Sequence, residues 1–175
     1  MPRVIIDMDE VMVDNYQVYH QIFEQKAGRP VDPAEYRGRR IYDMDGFADI
    51  RDALHQKGFF RKQPIMQDAQ EVVRELYDKH EVWIVTAAME FRHSFLDKYE
   101  WLEEHFPFIH YKRIVFCGDK SIVHGDYMID DKVSNLASFN GTGLLFTASH
   151  NLDDTGYARV DNWRDVQDYF RTQAH

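Results

Sequence analysis

The chain of 175 residues fits one domain with a substantial core and room for a small insertion. Hydrophobic residues at 44% and aromatics at 14% suit a folded globular protein and exclude a disordered one. A formal charge of −9 with no long basic block argues against a nucleic-acid polymer as partner, and no apolar stretch approaches membrane-spanning length.

In chain order, Val4, Ile5 and Ile6 predict a buried strand that delivers Asp7 at its carboxyl end, with Asp9 two residues on. Paired carboxylates there can hold a hard cation, attack phosphorus and handle a proton. Asp is also a common turn residue, so the pair alone carries little weight. From about 15 to 63 the pattern reads helical, with Val18, Ile22 and Phe23 early and Ile50, Ala53 and Leu54 late. A basic stretch, Arg37-Gly38-Arg39-Arg40, joins the two halves.

Ala69, Val72, Val73, Leu76 and Tyr77 then recur at helical spacing ahead of a strand over 82–85, which runs into Thr86 and small Ala87 and Ala88. A second helical pattern over 90–104 carries Phe91, Phe95, Leu96, Tyr99 and Leu102 on its predicted apolar face. The strand over 114–116 leads into Cys117, Gly118, Asp119 and Lys120, and that over 127–129 into Asp130-Asp131. A short helix with Val133, Leu136 and Ala137 follows. Gly141-Thr142-Gly143 then turns the chain into a strand over 144–146. A last helix starts near Asp161 or Asn162 and buries Val166, Tyr169 and Phe170.

Strands alternating with helices imply an α/β architecture, a parallel sheet covered on both faces. Neighbouring strand ends would gather Asp7, Asp9, Thr86, Lys120, Asp130 and Asp131 into one site. The hydroxyl and ammonium would grip phosphate oxygens, and the carboxylates would hold metal and do covalent work. Cys117 is the one cysteine, which excludes an internal disulfide and reads as a buried strand-end thiol. The nine histidines show no zinc-ligand spacing.

Asp7-Met8-Asp9-Glu10-Val11, Thr86, Lys120 and Asp130-Asp131 resemble, in this order, the four motifs of the haloacid dehalogenase superfamily of phosphatases. Several longer stretches resemble the 5′(3′)-deoxyribonucleotidases of the cytosolic and mitochondrial type. They include Gly58-Phe59-Phe60, Lys98-Tyr99-Glu100-Trp101, Gly118-Asp119-Lys120-Ser121 and Asp161-Asn162-Trp163-Arg164. The resemblance implies a Rossmann-like parallel-sheet core over 1–14 and 64–175, with a small helical cap inserted over 15–63.

It also implies a Mg²⁺-dependent phosphomonoesterase acting on nucleoside monophosphates through an aspartyl-phosphate. Asp7 is then the nucleophile and Asp9 the acid/base. Thr86, the amide of Ala87 and Lys120 bind phosphate, while Asp7, the Asp9 carbonyl and Asp130 hold the metal. Asp131 orients the metal's waters or Lys120. Tyr42, Phe47, Phe59 and Phe60 are candidates to stack a nucleobase or to form the cap's own core, with packing favoured for Phe59 and Phe60.

Three residues depart from the family pattern. Glu10 replaces a usual Gly, Asn15 a base-stacking Phe, and Gly118 an Arg near the phosphate. Base and sugar preference stay open, as does the oligomeric state, a homodimer included. The start of the chain reads as structural, not as a leader, so a soluble cytoplasmic protein is expected. Two alternatives remain: a phosphatase for another small phosphomonoester such as a sugar phosphate, and a receiver-like phosphorylation switch. Receiver domains lack a counterpart of Asp9 and of the cap.

Overall fold

The computed structural model describes residues 1–173. Six strands form one wholly parallel sheet: β1 (Arg3–Ile6), β2 (Glu81–Thr86), β3 (Ile114–Phe116), β4 (Tyr127–Asp130), β5 (Thr142–Phe146) and β6 (Ala158–Val160). Their spatial order is β3-β2-β1-β4-β5-β6, so the chain reverses its direction of travel across the sheet between β1 and β4. Open α/β sheets bind ligands outside the carboxyl ends of strands at such a switch point. Ile6 pairs with Ile84 on one side and Ile129 on the other, and the Asp7 amide donates to the Ile129 carbonyl at 3.0 Å. This register brings the ends of β1, β2 and β4 to one level.

The sheet helices are α3 (Ala69–Lys79), α4 (Ser94–His105), α5 (Val133–Ser138) and α6 (Trp163–Gln173). Ala69, Val72, Val73 and Leu76 of α3 pack with Trp163, Val166 and Phe170 of α6 in the main core. Two buried indoles also act as clamps. Trp163 Nε1 donates to the Val11 carbonyl and Trp101 Nε1 to the Gln63 carbonyl, both at 2.8 Å. They pin the loop after β1 and the point where the inserted segment returns.

That segment contains α1 (Asn15–Ala27) and α2 (Ala48–Leu54) with short 3-10 turns between and after them. It has its own apolar cluster of Tyr19, Val31, Tyr36, Ile41, Phe47, Ile50, Leu54 and Phe60. Its two ends meet as a narrow neck. The Asp14 amide donates to the Pro64 carbonyl at 2.9 Å, and the Met66 amide to the Met12 carbonyl at 2.8 Å. The segment rests on the sheet unit through Gly38 N to the Ser149 carbonyl (2.8 Å), Gly58 N to Asp97 Oδ2 (2.9 Å) and the Arg37–Asp153 pair (3.1 Å).

Four sequence expectations need correction. The helix predicted over 90–104 starts only at Ser94, and it turns a mixed face inward. Ser94, Asp97, Lys98, Trp101 and Leu102 are buried, while Phe95 and Leu96 are 52% and 54% exposed. The inward polar groups have partners: Ser94 donates to the Ala88 carbonyl at 2.6 Å, and Asp97 accepts from Gly58. The tripeptide predicted as a turn already contributes Thr142 and Gly143 to β5. The strand β6 was not expected: it is a three-residue edge strand with two exposed positions, too short for a periodic signal. The last helix does begin after Asn162, whose side chain accepts from the Arg164 and Asp165 amides, but Tyr169 is only partly buried.

Candidate active site

The strand-end residues converge as the register requires. Lys120 reaches in from a 3-10 turn after β3 and places its ammonium 2.8 Å from Asp7 Oδ1 and 2.6 Å from Asp130 Oδ2. One oxygen each from Asp7, Asp130 and Asp131 lies within 4.8 Å of the others. Asp7 Oδ1 also accepts from the Met8 amide at 2.7 Å, which fixes the carboxylate and leaves Oδ2 without a hydrogen bond. Burial pushes the Asp7 carboxyl up, but Lys120 and then Lys132 outweigh it and hold the group below its ordinary value. Asp7 is therefore an anion at neutral pH.

The two neighbouring aspartates after β4 are not equivalent. Asp130 is saturated: Oδ1 accepts from the Lys132 amide at 2.9 Å, Oδ2 from Lys120, and the Asn135 amide reaches both at 3.0 Å. Both oxygens of Asp131 are buried with no hydrogen-bond partner. His150 Nε2 sits 3.0 Å from Asp131 Oδ2, yet its hydrogen bond goes to the Asp131 main-chain oxygen at 3.1 Å. Buried acceptors without donors are rare and mark a place for an ion or an unseen donor. Hard oxygen ligands at this spacing suit Mg²⁺. On these bonds both carboxylate oxygens of Asp131 are without a hydrogen bond, whereas both oxygens of Asp130 accept one.

Asp9 lies on the other side of Asp7, facing the inserted segment. Its Oδ2 accepts from Lys98 Nζ at 2.5 Å and its Oδ1 from Asn15 Nδ2 at 3.2 Å. Lys98 is only 2% exposed and also donates to the Ala87 carbonyl at 2.5 Å and Thr86 Oγ1 at 3.3 Å. Sequence reading named Thr86 and Ala87 but missed Lys98 as a site residue. The available signal was its position four residues after Ser94 and three before Trp101, on one stripe of a helix.

The cleft between segment and sheet is lined by Asp9, Glu10, Tyr19, Tyr42, Phe60 and Lys98, among others. Tyr42 is thus on the wall. Phe47 is not: its ring stacks on Phe23 at 4.8 Å inside the segment's own core. Phe60, for which packing was favoured over stacking, packs in the segment's cluster and also faces the cleft, with the Lys98 ammonium 5.1 Å from its ring centre. The cleft holds about 40 Å³ of free volume, against roughly 300–1,000 Å³ for ordinary ligand pockets. Cys117 is buried at the end of β3 and donates to the Asp119 carbonyl at 3.0 Å.

Glu10 is also in this cleft. Burial first, then the charges of Asp131 and Asp9, raise its carboxyl well above the ordinary range. The site thus carries more acid than its lysines offset, which is the condition a bound divalent cation relieves.

No helix among the described residues is long and apolar enough to cross a membrane. The whole chain, residues 1–175, matches the family model described as 5′ nucleotidase, deoxy (pyrimidine), cytosolic type C protein. A Staphylococcus epidermidis protein provisionally named a 5′(3′)-deoxyribonucleotidase is 40% identical over 174 residues, covering 97% of this chain and 96% of its own. The 5′(3′)-deoxyribonucleotidase of Bacillus subtilis is 33% identical over 174 residues, covering 95% and 98%. Among solved structures, a haloacid dehalogenase-like hydrolase from Xanthomonas campestris superposes with a TM-score of 0.55 at 14% identity, covering 98% of this chain and 95% of that one.

Proposed function

Since the chain belongs to the cytosolic type C 5′-nucleotidase family and is a phosphoric monoester hydrolase of haloacid dehalogenase fold, we propose that it hydrolyses nucleoside monophosphates through a phosphorylated Asp7. The observation that carries this reading is the pairing at the mouth of β1. An anionic Asp7 with a free Oδ2 sits against Lys120, and Asp9 is held separately by Lys98 on the side where a leaving group must depart.

Asp7 Oδ2 attacks phosphorus in line, and the bond to the ester oxygen breaks as Asp9 delivers a proton to it. The alcohol leaves. Asp9, now a carboxylate, takes a proton from the water that attacks the aspartyl-phosphate, which returns Asp7 and releases inorganic phosphate. Lys120, the Thr86 hydroxyl and the Ala87 amide offset charge on the equatorial oxygens. Asp7, Asp131 and the Asp9 carbonyl would hold Mg²⁺, which when bound would offset the negative charge of the carboxylates and of the substrate phosphate. Asp130 orients Lys120. Residues 15–63 act as the cap that excludes water, and 1–14 with 64–175 as the catalytic unit.

Lys98 fixes the direction of Asp9 and joins it to the Thr86–Ala87 turn. Lys98→Met should lower kcat on nucleotides by about 10- to 100-fold, the worth of one charge-assisted hydrogen bond. Stopped-time phosphate release measures it, and an unchanged kcat would make Lys98 a packing residue.

A substrate panel tests the whole reading. With Mg²⁺ present, 2′-deoxynucleoside 5′- and 3′-monophosphates should be hydrolysed with higher kcat/KM than hexose phosphates. The reverse order would favour the sugar-phosphate alternative. The cap aromatics should separate in the same assay. Tyr42→Ala should raise KM for nucleotides by roughly 5- to 150-fold, since stacking on an aromatic face is worth about 1–3 kcal/mol, and spare phenyl phosphate. Phe47→Ala should instead lower the melting temperature, as a core Phe→Ala change costs about 3–5 kcal/mol. Equal effects of both changes on both substrates would remove Tyr42 from base binding.

A further inference from the structure

Glu10 is kept in the cleft under two unfavourable conditions that the chemistry of Asp7 and Asp9 does not require. Its φ is +58°, left-handed backbone that favours glycine. Its side chain belongs to a residue only 9% exposed, next to the acidic Asp9. Strained, buried polar residues of this kind gather where a ligand is gripped.

Asn15 holds it there. The Asn15 Nδ2 donates to Glu10 Oε1 and to Asp9 Oδ1, each at 3.2 Å. Both carboxylate oxygens therefore lie within twice that distance of each other. Asn15 is 1% exposed, and its Oδ1 is buried with no hydrogen-bond partner. Glu10 and Asn15 both line the cleft that Asp9 opens into. The result is a pair of acceptor oxygens beside the acid/base, one of them waiting for a donor.

We infer that Glu10 and Asn15 read a free sugar hydroxyl on the leaving nucleoside: the 3′-hydroxyl of a 5′-monophosphate, or the 5′-hydroxyl of a 3′-monophosphate. This rests on the nucleotidase reading above. Asp9 marks the position of the ester oxygen, and the donor nearest to it on the same sugar is that hydroxyl. In a nucleotide the exocyclic amines of the base lie further from the ester oxygen than that hydroxyl does. A site that hydrogen-bonds a substrate hydroxyl rejects an analogue lacking it, because its buried acceptors are then left unpaired.

The test compares 2′-deoxyuridine 5′-monophosphate with its 2′,3′-dideoxy analogue, and uses phenyl phosphate as a substrate with no sugar. Wild-type protein with Mg²⁺ should favour the hydroxylated nucleotide by about 10- to 100-fold in kcat/KM. In Glu10→Gly, whose backbone suits the left-handed position, the melting temperature should stay at or above wild type and the ratio should fall to about one. A wild-type ratio near one, or the same ratio in both proteins, overturns the hydroxyl reading alone. Loss of all hydrolysis in a folded Glu10→Gly would assign Glu10 to the chemistry and also overturn it. Wild-type protein that hydrolyses phenyl phosphate but neither nucleotide would overturn the nucleotidase reading itself.

Discussion

Asp7→Asn should form no covalent phosphoenzyme and should reduce turnover to the detection limit on every phosphomonoester. The amide keeps the shape of the side chain but supplies no nucleophilic oxygen anion, and the fixed Oδ1 cannot substitute because Met8 and Lys120 occupy it. Asp9→Asn should behave differently. It leaves the nucleophile intact and removes the proton transfer, a contribution of roughly 10²–10⁴-fold. A poor alkoxide leaving group needs that proton more than an activated aryl group does. The variant should therefore lose more activity on nucleotides than on p-nitrophenyl phosphate, and it should accumulate aspartyl-phosphate with the latter. Acid quench followed by intact mass measurement distinguishes the two. Phosphate retained on Asp7→Asn, or identical losses for both variants on both substrates, would overturn the assignment of roles.

Withdrawing divalent cations should abolish hydrolysis, and Mg²⁺ should restore it. The cause is the cluster of Asp7, Asp130 and Asp131, in which the buried Lys120 ammonium pairs with Asp7 and Asp130 and neither Asp131 carboxylate oxygen accepts a hydrogen bond. A readout independent of activity is available. Binding to the folded state alone raises stability by about 2.7 kcal/mol at a hundredfold excess over Kd, which appears as a higher melting temperature. Asp131→Asn should eliminate that Mg²⁺-dependent rise. Asp130→Asn should instead destabilise the protein with or without metal, because it removes a carboxylate bound to Lys120, the Lys132 amide and Asn135. Full activity in excess chelator would defeat the metal-dependent mechanism. A Mg²⁺ shift that survives in Asp131→Asn but not in Asp130→Asn would restore the opposite ligand assignment.

The amino-acid sequence alone determined the α/β class, the parallel sheet and the gathering of Asp7, Thr86, Lys120, Asp130 and Asp131. Each depends on a local pattern: a short apolar run that must be buried on both faces, followed by a polar residue at its end. Once such strands lie parallel, their carboxyl ends are neighbours whatever the details of packing.

What the tertiary structure decided lies in contacts between distant parts of the chain. Lys98 meets Asp9 across 89 positions, and its place on one stripe with Ser94 and Trp101 does not say that this stripe is buried while Phe95 and Leu96 face outward. Asp130 and Asp131 are chemically identical in sequence; only the fold brings Lys120 and Asn135 to Asp130 and leaves the Asp131 carboxylate without a hydrogen bond. Phe47 and Phe60 belong to the same cluster of the inserted segment, and only Phe60 also meets Lys98 at the cleft. Periodicity reports which side of an element is apolar. It does not report which neighbour that side will find, and in this protein the neighbour sets each side chain's role.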